Sequence, residues 1–192
     1  GHAGYYEATV QEAVKAQLTV TERTGMARYE YPAGEAFGTV IIGAGIAATP
    51  IEQAAVVITG PNSCEGYAEG GSFCGVRTPY KVYFVAEFDA RAVTTGIWKE
   101  DRLTPGGRFA EGSESGVYFT FDLTENRNVQ YKIGVSYVSV ENARANLAAE
   151  NAGWDFAAVQ HAAERRWNDY LGLIEAAGKN PDRTNPSDTH LY

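Results

Sequence analysis

Residues 14–21 alternate strictly: Val14, Ala16, Leu18 and Val20 stand between Lys15, Gln17, Thr19 and Thr21. A period of two predicts a half-buried strand whose apolar set faces a core. "GTVIIGAGI" and "QAAVVITG" are short apolar runs set between glycines and a proline, and they predict two more strands. In "KVYFVAEF", Val82, Phe84, Ala86 and Phe88 share one face, while Tyr83 and Val85 take the other. Apolar residues on both sides predict a strand covered above and below, in the middle of a sheet. "VYFTFDL" turns Val117, Phe119 and Phe121 inward. "VQYKIGVSYVSV" places Val129, Tyr131, Ile133, Val135 and Tyr137 on one side, with Gln130 and Lys132 opposite.

No helical pattern separates these runs. Parallel strands need long crossovers, so strands joined by turns and loops predict an antiparallel arrangement, here a mainly β sandwich of two sheets over residues 1–138. The stretch "KEDRLTPGGRFAEGSES", residues 99–115, is polar and glycine-rich and is expected to be a long surface connection. At Ser139 the period changes. "SVENARANLAAENAGW" predicts a helix capped by Ser139 and ended by Gly153. Asp155 caps a second helix in which Phe156, Val159, Ala163, Trp167, Tyr170 and Ile174 recur every three or four residues. Such a stripe must pack on something. The two helices take up residues 139–178, and the polar "GKNPDRTNPSDTHLY" has the composition of a linker, so that residues 179–192 are expected to lead into the first turn of a further element.

Composition narrows the function classes. The chain has 192 residues and a formal net charge of -8. An acidic chain repels phosphate backbones, which argues against nucleic acid as a partner. The apolar runs are too short to span a bilayer as helices. Two cysteines make no disulfide framework, although Cys64 and Cys74 flank a glycine turn and a single bond between them stays open.

The chemical candidates are weak one by one. "GAGIAATP" and "GGSFCG" lack the lysine and hydroxyl of a phosphate loop and the full dinucleotide fingerprint. His2, His161 and His190 are scattered, and no dense oxygen-ligand loop suggests calcium, so no metal-ligating residue is assigned. Cys74 has no histidine beside it in sequence. Glu65, Glu69, Glu87, Glu111 and Glu125 supply carboxylates, yet nothing ties two of them to one cleft. Glu87 lies in an apolar strand, where pairing with an arginine is expected. Tyr5, Tyr6, Tyr67, Phe73, Tyr80 and Trp98 fall at strand ends or in glycine-rich loops, where flat rings suit sugar faces and protein contacts alike.

Several segments together resemble one family. "AGYYEATV", "KAQLTVTERTGMARYEYP", "GGSFCGVRTPYKVYFVAEFD", "YKIGVSYVSVENARANLAAENAGWDF" and "RRWNDYLGLIEAAG" are similar, in order and spacing, to the N-terminal domain of bacterial glycoside hydrolase family 92 alpha-mannosidases. The resemblance implies a galactose-mutarotase-like supersandwich joined by helices to an alpha/alpha toroid. It implies an exo-acting, inverting, calcium-dependent enzyme that releases mannose from glycans in a secreted or periplasmic bacterial setting. Acid, base and most calcium ligands would come from the toroid, so no catalytic residue is assigned here. Gly70, Gly71, Phe73 and Cys74 resemble the loop that approaches the mannose pocket and are expected to form part of its wall. The likeness also implies strands before "GYY" and a toroid after "THLY" that this sequence does not contain, with Asn185-Pro186-Ser187 departing from the usual apolar run. The chain is therefore expected to be inactive alone, its partners being the catalytic toroid and a mannose-containing glycan. A free-standing carbohydrate-binding or protein-interaction module is the alternative.

Overall fold

The computed structural model describes residues 1–10, 13–45, 47 and 49–173, without the side chains of Phe73 and Arg77. Among the described residues, twelve strands precede two helices. The larger sheet runs β1 (Tyr5–Val10), β2 (Val14–Val20), β3 (Thr24–Glu30), β12 (Asn128–Ser136), β7 (Val76–Phe88), β6 (Ser63–Phe73), β5 (Ile51–Gly60), β10 (Phe109–Glu111). The smaller runs β4 (Phe37–Gly43), β11 (Ser115–Asp122), β8 (Thr94–Lys99), β9 (Arg102–Pro105). Neighbouring strands pair antiparallel throughout. The chain is thus a mainly β, antiparallel two-sheet sandwich followed by α1 (Val140–Glu150) and α2 (Phe156–Leu171).

The core lies between the sheets. Phe84, Ala86 and Phe88 of β7 meet Val117, Phe119 and Phe121 of β11, and the Phe88 ring sits 4.8 Å from Phe119 and 5.0 Å from Phe121. β7 lies in the interior of its sheet, as its two apolar faces require: Val85, on the opposite face, is buried against Ala143 and Leu147 of α1. Cys64 of β6 is sealed in the core, where burial pushes its thiol up to about 12.

Both helices pack on the outer face of the larger sheet, α1 over β12 and β7, α2 over β2, β3 and β1. Ser139 caps α1 by accepting from the Asn142 amide at 3.1 Å. Gly134 lets α1 come down on β12: a Cβ there would stand 2.4 Å from the Ala143 carbonyl oxygen. This cover changes the meaning of the alternation. Lys132, on the side opposite the core, is 4% exposed. Its ammonium donates to the carbonyls of Asn151 (3.1 Å) and Ala152 (3.0 Å) and lies 4.5 Å from the Trp154 ring centroid. Gln17 and Thr19 are likewise buried on the helix side, whereas Leu18 and Val20 stand exposed. The expectation for β2 is therefore corrected in part: Val14 and Ala16 face inward as expected, but the helix side buries Gln17 and Thr19 while Leu18 and Val20 are left open near the sheet end.

Residues 99–115 are corrected too. They are not a plain connection but carry β9 and β10, the former pairing β8 and the latter pairing β5. Ile174 and residues 179–192 of the expected linker and entry turn lie outside the described residues.

Candidate functional site

The last residue of β4, the first of β5, the β6–β7 hairpin, the end of β8, the start of β11 and the end of β12 all meet at one end of the sandwich. The hairpin reaches furthest. β5 pairs β6 only as far as Gly70, and β12 pairs β7 only as far as Tyr83, so residues 71–79 project as a two-stranded arm. Its tip is a two-residue turn, Cys74 (φ 51) and Gly75 (φ 78), between the paired Phe73 and Val76. Two successive positive φ angles match the twist of the flanking strands.

Gly70 and Gly71 lie at the root of the arm, both buried. A Cβ on Gly70 would stand 3.0 Å from the Pro50 carbonyl oxygen. Gly71 has φ 120, and its Cβ would stand 2.4 Å from the Thr78 oxygen and 2.8 Å from the Tyr80 ring. The strand register shifts between Gly70 and Ser72, a bulge that re-aims the arm. The space beside both glycines is thus filled by this chain's own atoms. Phe73 ends β6, and its side chain lies outside the description. Cys74 is exposed and free. The open pairing between the two cysteines resolves against a bond: Cys64 lies on β6 in the core, and Cys74 sits in the turn ten residues further on, at the exposed tip.

The exposed surface of this region is aromatic. Tyr80 is 53% exposed and meets Tyr137 edge-on at 6.0 Å, with Val76 and Val138 also exposed. Tyr137 carried no site expectation, since alternation alone counts it as core. The root of the arm is braced on its other face. Lys81 bonds Glu69 at 3.1 Å, which raises its pKa, and lies 4.3 Å from the Tyr67 ring centroid. Beside the arm a cleft of about 1040 Å³ is lined by Thr49, Pro50, Ile51, Trp98, Glu100 and Glu114, among others.

The carboxylates singled out in the sequence do not converge on this cleft. Glu65 pairs with Arg144, Glu69 with Lys81, and Glu87 with Lys132 at 3.7 Å, so the cation beside Glu87 is a lysine rather than the expected arginine. Glu111 lies on β10 and Glu125 borders a different cleft, beside Pro32 and Gly34. No cluster of three or more His, Cys, Asp or Glu able to hold a metal ion occurs among the described residues. The arrangement offers contact surface, with no acid and base facing each other across one bond among these residues.

A second apolar surface runs along α2. Phe156 and Ala163 of its stripe are buried on the sheet, but Trp167 and Tyr170 are exposed and line, with Val20, Ala163 and Leu173, a cleft of about 630 Å³.

The glycosyl hydrolase family 92 N-terminal domain matches residues 1–136, and the catalytic domain of the same family matches residues 142–192. The chain belongs to glycosyl hydrolase family 92. An uncharacterized secreted glycosidase from Arthroderma benhamiae is 28% identical over 89% of this chain and 24% of its own length. An inverting mannosidase of the family from Bacteroides thetaiotaomicron superimposes with a TM-score of 0.75 at 22% identity, over 92% of this chain and 23% of that one. An alpha-mannosidase of the family from the same bacterium gives 0.75 at 23%, over 91% of this chain and 24% of its own. The chain spans about a quarter of the length of these relatives.

Proposed function

We propose that this chain is the sandwich and first helices of a calcium-dependent, inverting exo-alpha-mannosidase, and that the β6–β7 arm forms part of its substrate wall. The observation that carries the reading is the pair of adjoining family matches, N-terminal domain then the start of the catalytic domain, on a fold whose arm stands free at one end. In this reading Gly70 and Gly71 set the aim of the arm, while Phe73 and Cys74 at its tip border the sugar. The acid and base stand in the remainder of the catalytic domain, about 6.5–9.5 Å apart, leaving room for a water on the far side of the glycosidic bond. In this reading calcium, too, is held mainly there. The secreted relative supports an extracytoplasmic setting, periplasmic or secreted in a bacterium.

The test compares this chain with a polypeptide carrying the whole catalytic domain, each with an aryl alpha-mannoside and calcium. The longer protein should release mannose, lose activity to a chelator, and give the inverted anomer by proton NMR at early times. The 192-residue chain should give no turnover. Turnover by the chain alone would overturn its assignment as non-catalytic, and release of a different sugar by the longer protein would overturn the mannosidase reading.

A further inference from the structure

Among the described residues, α1 and α2 pack on the larger sheet and leave the outer face of the smaller one uncovered, and its sequence has a reciprocal pattern. β8 contains Gly96-Ile97-Trp98 and β11 contains Gly116-Val117-Tyr118. The antiparallel register sets Trp98 opposite Gly116 and Tyr118 opposite Gly96. Each ring therefore lies across the glycine of the other strand. A Cβ on Gly116 would stand 2.5 Å from the Trp98 indole nitrogen, and one on Gly96 would stand 2.5 Å from the Tyr118 hydroxyl oxygen. Ile97, Val117 and Phe119 point to the core, so the two rings are on the outside.

The rows continue over all four strands. Gly43, Gly116, Trp98 and Leu103 form one row, and Ile41, Tyr118, Gly96 and Pro105 the next. Ile41 is 62% exposed and Leu103 is 67% exposed. Neither row carries a cation. Polar groups border them on both sides. One side is a row of hydroxyls from Thr39, Thr120 and Thr94, in which Thr39 and Thr120 bond at 2.9 Å. The other is the cleft at the sheet end, where Trp98 lies beside the carboxylates of Glu100, Asp101 and Glu114.

We propose that this face binds a neutral hexopyranose glycan chain, with Trp98 and Tyr118 as the stacking surface and the acidic cleft as hydroxyl acceptor. A pyranose has C–H faces that lie on rings and equatorial hydroxyls that reach sideways to acceptors. Flat rings between carboxylates and threonines fit that division. The absence of a cation in the two ring rows disfavours an anionic ligand. The ring rows belong to the smaller sheet, whereas the exposed rings at the root of the arm, Tyr80 and Tyr137, lie on β7 and just after β12 of the larger sheet. It rests on the chain acting in glycan processing, as proposed above, but not on which sugar is cleaved.

The test is native electrophoresis of the 192-residue chain in gels containing soluble yeast alpha-mannan, with a neutral beta-glucan and a basic peptide additive in parallel gels. Retardation by a neutral polysaccharide is expected, with apparent affinity at least tenfold weaker in Trp98→Ala and Tyr118→Ala. These two changes uncover glycines and can disturb folding, so Leu103→Ser, Glu100→Gly and Glu114→Gly accompany them. Glu100 and Glu114 have φ angles of 54 and 50, which glycine adopts freely, so both variants should be no less stable yet bind about threefold more weakly. Retardation by the beta-glucan alone would keep this site and count against the mannosidase reading. No retardation by either polysaccharide, or retardation by the basic peptide only, overturns the site. Retardation lost only in Tyr80→Ala assigns binding to the arm and overturns it as well.

Discussion

Lys132→Met removes one buried charge and keeps most of the aliphatic stem. In the native chain the ammonium donates to two carbonyls at the end of α1 and lies against the Trp154 ring. Each charge-assisted bond contributes about 1.5–3 kcal/mol, and a desolvated cation–ring contact contributes about 2 kcal/mol. Against these stands the hydration lost by an ammonium that is 4% exposed, a cost of several kcal/mol. Methionine escapes that cost but leaves the carbonyls without a donor. The Ala152 residue is exposed, and water can serve its carbonyl, so the uncompensated loss falls mainly on Asn151, which is buried. An orphaned buried carbonyl costs about 1–3 kcal/mol, and with the lost helix-end interaction the net is about 2–3 kcal/mol. At roughly 2–4 °C per kcal/mol for a chain of this size, the melting temperature should fall by about 4–12 °C. Thermal unfolding followed by far-ultraviolet circular dichroism measures that shift and urea unfolding the free energy, with Glu87→Gln as control. Glu87 is half-exposed and 3.7 Å away, so its loss should cost less than about 1 kcal/mol. If Lys132→Met matched the native midpoint within about 0.5 kcal/mol, the contacts would do no more than offset burial of the charge, and the reasoning fails.

Three further outcomes follow from packing and ionisation. Gly134→Ala pushes a methyl to 2.4 Å from the Ala143 oxygen, so α1 must lift, and the urea midpoint should drop by the equivalent of about 1–3 kcal/mol. Burial alone would raise the Glu150 pKa, but bonds from Thr21 and from the Arg23 amide and guanidinium outweigh it and hold the carboxyl below its ordinary value. A lowered folded pKa stabilises the protein above the unfolded value of about 4.3 and loses that contribution as pH falls through the folded value. The stability gap between native chain and Glu150→Gln should therefore be flat near neutrality and shrink below about pH 4. A thiol reagent should label Cys74 at once and Cys64 only on unfolding, because Cys64 is buried with its thiol pushed up to about 12, and intact mass without reductant should show both thiols free.

Alternation made the sandwich legible: Phe84, Ala86, Phe88, Val117, Phe119 and Phe121 all face the core they were expected to face. β6 was not legible, because "SCEGYAEGGSF" mixes glutamates with glycines and has the composition of a loop. Its glycines are there for contact: a Cβ on Gly66 would stand 2.2 Å from the Ala55 oxygen of the neighbouring strand. Alternation also names faces without saying what covers them. Lys132 and Gln17 have polar side chains on the face away from the core, and nothing in a period of two announces that α1 and α2 lie over that face. For the candidate wall, the glycine-rich stretch marked the right hairpin, but that Gly70 and Gly71 pack against Pro50, Thr78 and Tyr80 depends on a bulge no spacing reveals. The Trp98 and Tyr118 pair did leave a signal, two glycine-x-aromatic triplets that antiparallel pairing turns into reciprocal cover.

The way the helices are attached bears on how the arm would work. Tyr137, which touches the arm through Tyr80, is followed two residues later by Ser139, the cap of α1. From there each turn is fastened to the larger sheet: α1 lies on Gly134, its end is held by Lys132 and by Glu150 on the β2–β3 turn, and α2 begins with Phe156 under the Arg28 guanidinium at 4.7 Å. A chain hung on so many contacts of different kinds does not bend between β12 and the middle of α2, since bending would strand buried polar groups along with apolar ones. The two linker helices are thus fastened along the outer face of the larger sheet. Trp167, Tyr170 and Leu173 are left exposed at the end of this helical segment. If the arm forms a substrate wall as proposed above, an element packed on that end would be held in register with it by these same contacts.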